Sequence, residues 1–285
     1  MIINRSFWQY LLPTHSLSIL IGKLARCKII WFKNFLIDLF IKQYKIDMHE
    51  AIEKNPHNYD DLENFFIRKV NPKKRLFPTN KNAIGCPVDG KISQFGKITK
   101  NSIIQAKGKN FSISELLGDN NTDQYNFING NFATIYLAPH NYHRVYMPFD
   151  GILKKMIYVP GKLFSVSNTT AKNIPNLFAR NERVILIFET AIGKIAVILV
   201  GAMIISGINT TWHGKITKEK SNSPVNIWEY QDKNKLIKRG EELGYFTFGS
   251  TVILLFQKDK ITFNKRTMKK EKEIKIGQLL ATQLS

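Results

Sequence analysis

The chain is short of cysteine, with only Cys27 and Cys86 in 285 residues and no C-x-x-C pair. That excludes a disulfide framework and gives no zinc or redox signature, so a reducing, cytoplasmic setting is expected. Acidic residues are also scarce: 22 Asp+Glu face 42 Lys+Arg, for a net charge of +20. Such an excess predicts attraction to something anionic, whether nucleic acid, a membrane surface or an acidic substrate, although a solvated basic face gives the same count. Long apolar runs are missing as well. The most apolar region, Leu17 to Tyr44, is broken by Lys23, Arg26, Lys28, Lys33, Asp38 and Lys42, so it never offers the roughly 18 uninterrupted apolar residues of a membrane span. The first residues show no secretory signal pattern. No G-x-x-x-x-G-K-[ST], H-E-x-x-H or helix-opening G-x-G-x-x-G occurs, which removes support from nucleotide-dependent and zinc-peptidase readings.

What is present supports a packed core: 44% of residues are hydrophobic and 12% aromatic. Up to about residue 45 the apolar positions Leu17, Leu20, Ile21 and Leu24, then Ile29, Phe32, Leu36, Leu39 and Phe40, recur at helical steps. Their polar remainder is basic, and Trp8, Tyr10, Trp31 and Phe32 add interface-type aromatics. The pattern fits a membrane-surface module and equally a helical pair packed on a domain core. A short helix with an acidic first turn is expected around Tyr59 to Phe66. Beyond Pro72 the texture becomes β-rich, with runs Ala133–Leu137, Val184–Phe188 and Ile195–Val200 and turn cues at Asp89-Gly90, Asp150-Gly151 and His213-Gly214. The expected fold class is therefore α+β: a helical module over residues 1–70, then a mainly antiparallel β domain over 71–285. Lys258 to Lys275, dense in Lys, Arg and Glu, reads as a solvated edge or hairpin.

Chemistry centres on Gly249-Ser250-Thr251, which precedes the apolar run Val252–Phe256. If the serine hydroxyl attacks the Gly249 carbonyl, the amide becomes an ester, and elimination across the serine can leave a pyruvoyl group at a new amino terminus. Glycine before the serine would admit strained geometry and leave the attacked carbonyl uncrowded. The same tripeptide also serves as an ordinary turn into a strand. Two further polar stations are Pro87-Val88-Asp89-Gly90 and His140-Asn141-Tyr142-His143-Arg144. Asp89, His143 and Ser250 together would supply an acid, a base and a hydroxyl, the carboxylate orienting the imidazole that takes the hydroxyl proton. Each has a plainer role open to it: Asp89 as a turn residue, the histidines as structural loop residues. His140 and His143 are three apart, but Pro139 and the lack of a third ligand argue against a metal. Ser250 is not in a G-x-S-x-G elbow, because Phe248 stands two before it.

Over nearly its whole length the chain resembles the bacterial, membrane-associated phosphatidylserine decarboxylases. The likeness is carried by Tyr44-Lys45-Ile46-Asp47-Met48, Phe65-Phe66-Ile67-Arg68, Pro87-Val88-Asp89-Gly90, Gln105-Ala106-Lys107-Gly108, Tyr142-His143-Arg144-Val145, Tyr158-Val159-Pro160-Gly161, Asn176 to Arg183 and Gly249-Ser250-Thr251. The resemblance implies self-cleavage between Gly249 and Ser250 with Asp89, His143 and Ser250 as maturation triad, giving subunits 1–249 and 250–285. It implies that Ser250 becomes a covalent pyruvoyl cofactor and the Schiff-base site for phosphatidylserine, which loses carbon dioxide to give phosphatidylethanolamine. His140 matches a histidine that assists decarboxylation in some relatives. Phe248 replaces the family's leucine, apolar for apolar. The implied partners are phosphatidylserine, an anionic membrane surface and the chain's own cleaved subunit, with further dimerisation open. The implied location is peripheral, on the cytoplasmic face of the inner membrane. Arg144, Arg180 and Arg183 are candidates for the lipid phosphate by charge and neighbourhood. A self-processed serine hydrolase and a basic nucleic-acid-binding protein are the competing functions, although no nucleic-acid reading module is found.

Overall fold

The computed structural model describes residues 14–106, 108–118, 122–203, 207–216, 224–230, 235–247 and 249–284. Trp8, Tyr10, Lys107 and Phe248 lie outside the described residues. The described residues begin with helices Thr14–Ala25 and Ile30–Tyr44, the second closed by Lys45 in the left-handed conformation, whose N–H bonds to the Ile41 carbonyl. Ile37 and Phe40 from the second helix join Ala25, Ile46, Leu62, Phe65 and Phe66 in a small core of their own. Lys33, on the same buried face, donates to the carbonyls of His57 at 2.6 Å and Tyr59 at 2.7 Å. The opposite face leaves Leu24, Ile30, Trp31, Phe35 and Leu39 exposed, Trp31 by 73%. A globular domain does not normally present such a row of large apolar side chains to water. The packed-helix reading holds on one face, and the other face is left apolar and exposed. No helix among the described residues is long and apolar enough to cross a membrane.

The short helix Leu62–Phe66 forms where expected, its Asp61 side chain accepting the Asn64 N–H. Beyond it the β-rich texture becomes a nine-stranded sheet. Eight strands run in the order Asn226–Glu229, Gly151–Val159, Arg183–Thr190, Gly193–Gly201, Ser250–Phe256, Asn131–Leu137, Gly90–Lys97 and Glu273–Ile274; Lys235–Ile237 also pairs with Gly151–Val159. Neighbouring strands are antiparallel. Both faces are covered: Val184, Leu186, Leu199 and Val252 face one core, Ile185, Ile187, Ile198 and Ile253 the other. That is why these strands read as continuous apolar runs. The expected α+β class is the observed one.

A second sheet of four strands follows the order Gly214–Lys215, Ile208–Thr210, Glu242–Phe246 and Arg144–Tyr146. The chain leaves this sheet at Phe246 and enters the centre of the large one at Ser250. The Gly249–Ser250 bond thus sits at the crossing between two sheets. The charged stretch from Lys258 is only partly a solvated edge, since Ile261, Met268 and Ile274 are buried. Glu273–Ile274 pairs with Gly90–Lys97, and Leu279–Gln283 with Ala83–Gly85. Residues 250–284 are therefore woven into strands from the first half of the chain.

Candidate active site

Ser250 opens the central strand, paired with Leu137 on one side and Gly201 on the other, and is wholly buried. Its side chain shares a face with Val252, because alternate residues of a strand point the same way. His143 comes from the small sheet: it immediately precedes Arg144–Tyr146, and its backbone carbonyl accepts from Phe246 N–H at 2.9 Å. The two meet, with His143 Nδ1 3.1 Å from Ser250 Oγ.

The protonation of the imidazole follows from its other contact. Nε2 lies 3.0 Å from the Ala138 carbonyl oxygen, and a carbonyl can only accept, so Nε2 carries the hydrogen. Burial pushes the His143 pKa down to about 3, outweighing the Ala138 bond that favours the charged form. The ring is then neutral near pH 7, and Nδ1 presents a lone pair to which the serine hydroxyl donates. The Ala138 carbonyl is fixed by a tight turn, accepting Asn141 N–H at 2.9 Å while Asn141 Oδ1 accepts Ala138 N–H at 2.8 Å. Phe66 covers the ring, centroid to centroid 4.2 Å.

Gly249 departs from the expectation of strain. It is not among the residues with positive φ, and a Cβ placed there would come no nearer than 3.7 Å to Ala202. What glycine provides in this conformation is an uncrowded carbonyl.

Asp89 does not reach the imidazole by a hydrogen bond. Its carboxylate takes two bonds from Arg75, 3.0 Å to Nε and 2.7 Å to the second terminal nitrogen, and a third from Ile276 N–H at 2.8 Å. Arg75 also donates to Glu50, which in turn meets Lys275 at 3.1 Å. These bonds outweigh burial and raise the Arg75 pKa, and the Arg75 bond leads in lowering Glu50 to about 2. Asp89 is joined to the serine–histidine pair through Tyr142, the residue before His143, whose ring centroid lies 5.4 Å from the Arg75 guanidinium carbon.

His140 is exposed, and its carbonyl accepts from Arg68 at 3.2 Å; no hydrogen bond brings its ring to Ser250. The three arginines named for phosphate are committed elsewhere. Arg144 bonds Glu242 at 2.6 Å and the Ile67 carbonyl at 2.9 Å. Arg183 clamps the carbonyls of Leu116, Ala179, Asn181 and Glu115, and Arg180 lies over the Phe164 ring. Among the described residues no His, Cys, Asp and Glu grouping could hold a metal.

Three buried charges escaped the sequence reading: Arg68, Arg75 and Glu182. Glu182 is 1% exposed, and burial pushes its pKa up to about 7. Its carbonyl accepts from Gly201 N–H at 2.9 Å, which puts it one strand beyond the partner of Ser250. A neutral buried imidazole in contact with a serine hydroxyl beside an uncrowded glycyl carbonyl is the arrangement in which a base can help a serine oxygen attack.

Comparison with known proteins gives the family. The family model for phosphatidylserine decarboxylase matches residues 62–282, and a second model, PSD, matches residues 5–45. The phosphatidylserine decarboxylase proenzyme of Idiomarina loihiensis is 47% identical over 278 residues, covering 96% of this chain and 94% of its own length. That of Pseudoalteromonas translucida is 50% identical over 255 residues, 88% of each chain, and that of Francisella philomiragia 46% over 259 residues, 90% of each. The chain belongs to the phosphatidylserine decarboxylase family, and its enzyme class is carboxy-lyase.

Proposed function

We propose that this chain is a precursor that cuts itself between Gly249 and Ser250, converts Ser250 into a pyruvoyl group and decarboxylates phosphatidylserine to phosphatidylethanolamine. The observation that carries the reading is the 3.1 Å contact of His143 Nδ1 with Ser250 Oγ. The hydroxyl proton passes to Nδ1 and the oxygen attacks the Gly249 carbonyl. The carbon–nitrogen bond breaks, the amine takes a proton, and an ester replaces the amide. Loss of the Ser250 α-proton then breaks the Cβ–Oγ bond and releases Gly249 as a carboxylate. Water replaces the nitrogen of the remaining unit, which departs as ammonia, and a pyruvoyl end is left.

The residues fit such a group: the hydroxyl is buried, its base is neutral, and the adjacent carbonyl carries no side chain beyond glycine. When formed it supplies an electron-accepting carbonyl for loss of carbon dioxide. His143 stays positioned to hold or return a proton at the Ser250 side. Asp89 acts as a positioning residue, holding Arg75 against Tyr142. His140, exposed beside the pair, is proposed to serve the decarboxylation step. After the cut, residues 250–284 would stay in place as a subunit, since their strands pair with segments 83–85, 90–97, 131–137 and 193–201.

Intact-mass measurement of the purified protein tests the reading. Two chains are expected, the smaller beginning with a blocked, pyruvoyl-bearing residue, whereas Ser250→Ala stays a single chain. A smaller chain with a free serine amine would instead identify a self-processed hydrolase, and normal cleavage of Ser250→Ala would sink the mechanism.

The exposed apolar helix face, with the net charge of +20, supports peripheral attachment to an anionic leaflet on the cytoplasmic side of the inner membrane. Vesicles containing phosphatidylserine should sediment the protein. The double variant Trp31→Glu, Phe35→Glu should lose most of this binding while still self-cleaving; undiminished sedimentation would place the membrane contact elsewhere.

A further inference from the structure

Several of the charges enclosed near the serine–histidine pair are matched in ion pairs. Arg75 and Lys275 face Asp89 and Glu50, and Arg144 faces Glu242. Arg68 is 2% exposed, yet it takes part in no ion pair among the described residues. Its terminal nitrogens donate to the carbonyls of Phe65 at 3.5 Å and His140 at 3.2 Å, and its Nε has no hydrogen-bond partner. The guanidinium carbon lies 5.2 Å and 4.8 Å from the ring centroids of Phe65 and Tyr142. A guanidinium offers five N–H donors, and here the Nε–H is left without an acceptor. Burying a cation without a counter-charge is costly, and burial accordingly pushes the Arg68 pKa down.

Arg68 also borders a cleft of about 280 Å³, shared with Ile52, Tyr59, Asn64, Lys69 and Arg144. Glu53, the acidic residue at this rim, is engaged by Asn55 N–H at 2.8 Å. The cleft lies beside the reactive centre: Arg68 holds the His140 carbonyl, and Phe66, two residues earlier, stacks on His143. Its mouth carries Ile52, exposed by 58%, an apolar edge on the segment that follows the exposed helices.

We infer that this cleft is an anion subsite in which Arg68 receives the phosphoryl group of the lipid headgroup. The inference rests on the substrate reading above. A phosphodiester carries one negative charge, the complement of the unpaired Arg68 guanidinium, and its two non-bridging oxygens suit a planar guanidinium better than an ammonium. The phosphate is preferred to the carboxylate because the carboxylate must leave from the carbon next to the reacting amine, whereas the phosphate remains behind as a handle. Arg68 so placed is a binding residue that keeps the amine end directed at Ser250.

The test separates this site from the reaction. The full-length Ser250→Ala chain, which cannot turn over substrate, is titrated calorimetrically with sn-glycero-3-phosphoserine, inorganic phosphate and serine. Glycerophosphoserine is expected to bind saturably and more weakly as salt rises. Arg68→Lys should weaken binding about tenfold or more, the usual loss when a charged hydrogen-bond partner is removed. Ile52→Glu, a change at an exposed position that leaves the core intact, should also weaken it. Binding of inorganic phosphate that is lost in Arg68→Lys supports the phosphoryl assignment. Serine binding as tightly as glycerophosphoserine, phosphate binding without glycerophosphoserine, or an unchanged Arg68→Lys affinity would overturn it. In the mature enzyme, Arg68→Lys should raise KM for dispersed short-chain phosphatidylserine by a larger factor than it lowers kcat. Failure of the wild-type enzyme to decarboxylate any lipid would instead count against the substrate reading, while the calorimetric arm still decides the anion site.

Discussion

His143→Ala is expected to leave the chain uncut over times in which the wild type matures fully, a slowing of about a hundredfold to ten-thousandfold, the range a positioned base contributes. Nδ1 is the basic atom in contact with the Ser250 hydroxyl, and the backbone fixes its lone pair there through Nε2–H and the Ala138 carbonyl. No carboxylate is needed to set this tautomer. A second consequence distinguishes a neutral buried base from a charged one. The His143 pKa falls from 6.5 to about 3 in the folded protein, so below pH 6.5 the unfolded chain takes up a proton that the native state refuses. Stability from this residue is complete above pH 6.5 and is lost as pH falls toward 3. Between pH 7 and pH 4 the loss is about 3 kcal/mol, at roughly 1.4 kcal/mol per unit of pKa. His143→Ala should therefore show a shallower acid limb in denaturant midpoints measured at those two pH values. Wild-type cleavage in the variant would remove His143 as the base; an unchanged acid limb would show that the ring is not buried in its neutral form.

The sheet was legible because its strands are buried on both faces. Val184–Phe188 and Ile195–Val200 are runs that only a doubly covered strand tolerates, and Asp89-Gly90 and Asp150-Gly151 mark the entries of Gly90–Lys97 and Gly151–Val159. Gly90 is required there by space, since a Cβ would sit 2.5 Å from the Tyr136 carbonyl oxygen. The pairing of His143 with Ser250 was also within reach, because an imidazole and a hydroxyl announce their chemistry by residue type. The partner that orients the imidazole was not. It is the backbone carbonyl of Ala138, and a carbonyl is present at every residue, so nothing in the sequence marks the one that will be used. The partner of Asp89 was hidden for the converse reason: a carboxylate looks equally suited to an imidazole or a guanidinium, and which it meets depends on where the loop carrying Arg75 folds. Arg68 and Glu182 escaped because charged residues are ordinarily read as surface, and only the packed structure shows them enclosed.

The crossing at Gly249 relates these features to one another. The small sheet fixes His143 through Phe246 N–H, the large sheet fixes Ser250 through Gly201 and Leu137, and the Gly249–Ser250 bond lies on the link between them. The placement of His143 against Ser250 therefore comes from two sheets, not from strain at the glycine. The proposed cut would separate two segments that are each already held by their own strands.

Asp89→Asn should both destabilise the protein and slow its cleavage, and the two effects should share a cause. Asp89 and Arg75 have side chains only 6% and 4% exposed, and the cluster they form with Glu50 and Lys275 is neutral. Removing the aspartate charge leaves a net positive charge in a buried place, a loss of about 3–5 kcal/mol when one partner of a buried pair is deleted. Arg75, held by fewer bonds, would then no longer be fixed against the Tyr142 ring next to His143. Adding Arg75→Met removes the uncompensated cation and leaves Glu50 with Lys275, so the double variant Asp89→Asn, Arg75→Met should recover much of the stability lost by the single one. If Asp89 acts by positioning, cleavage measured by intact mass should recover along with the denaturant midpoint. If instead Asp89 is needed as a charge acting on His143 itself, the double variant will be restored in stability and will remain uncut, because replacing the arginine cannot return the missing carboxylate.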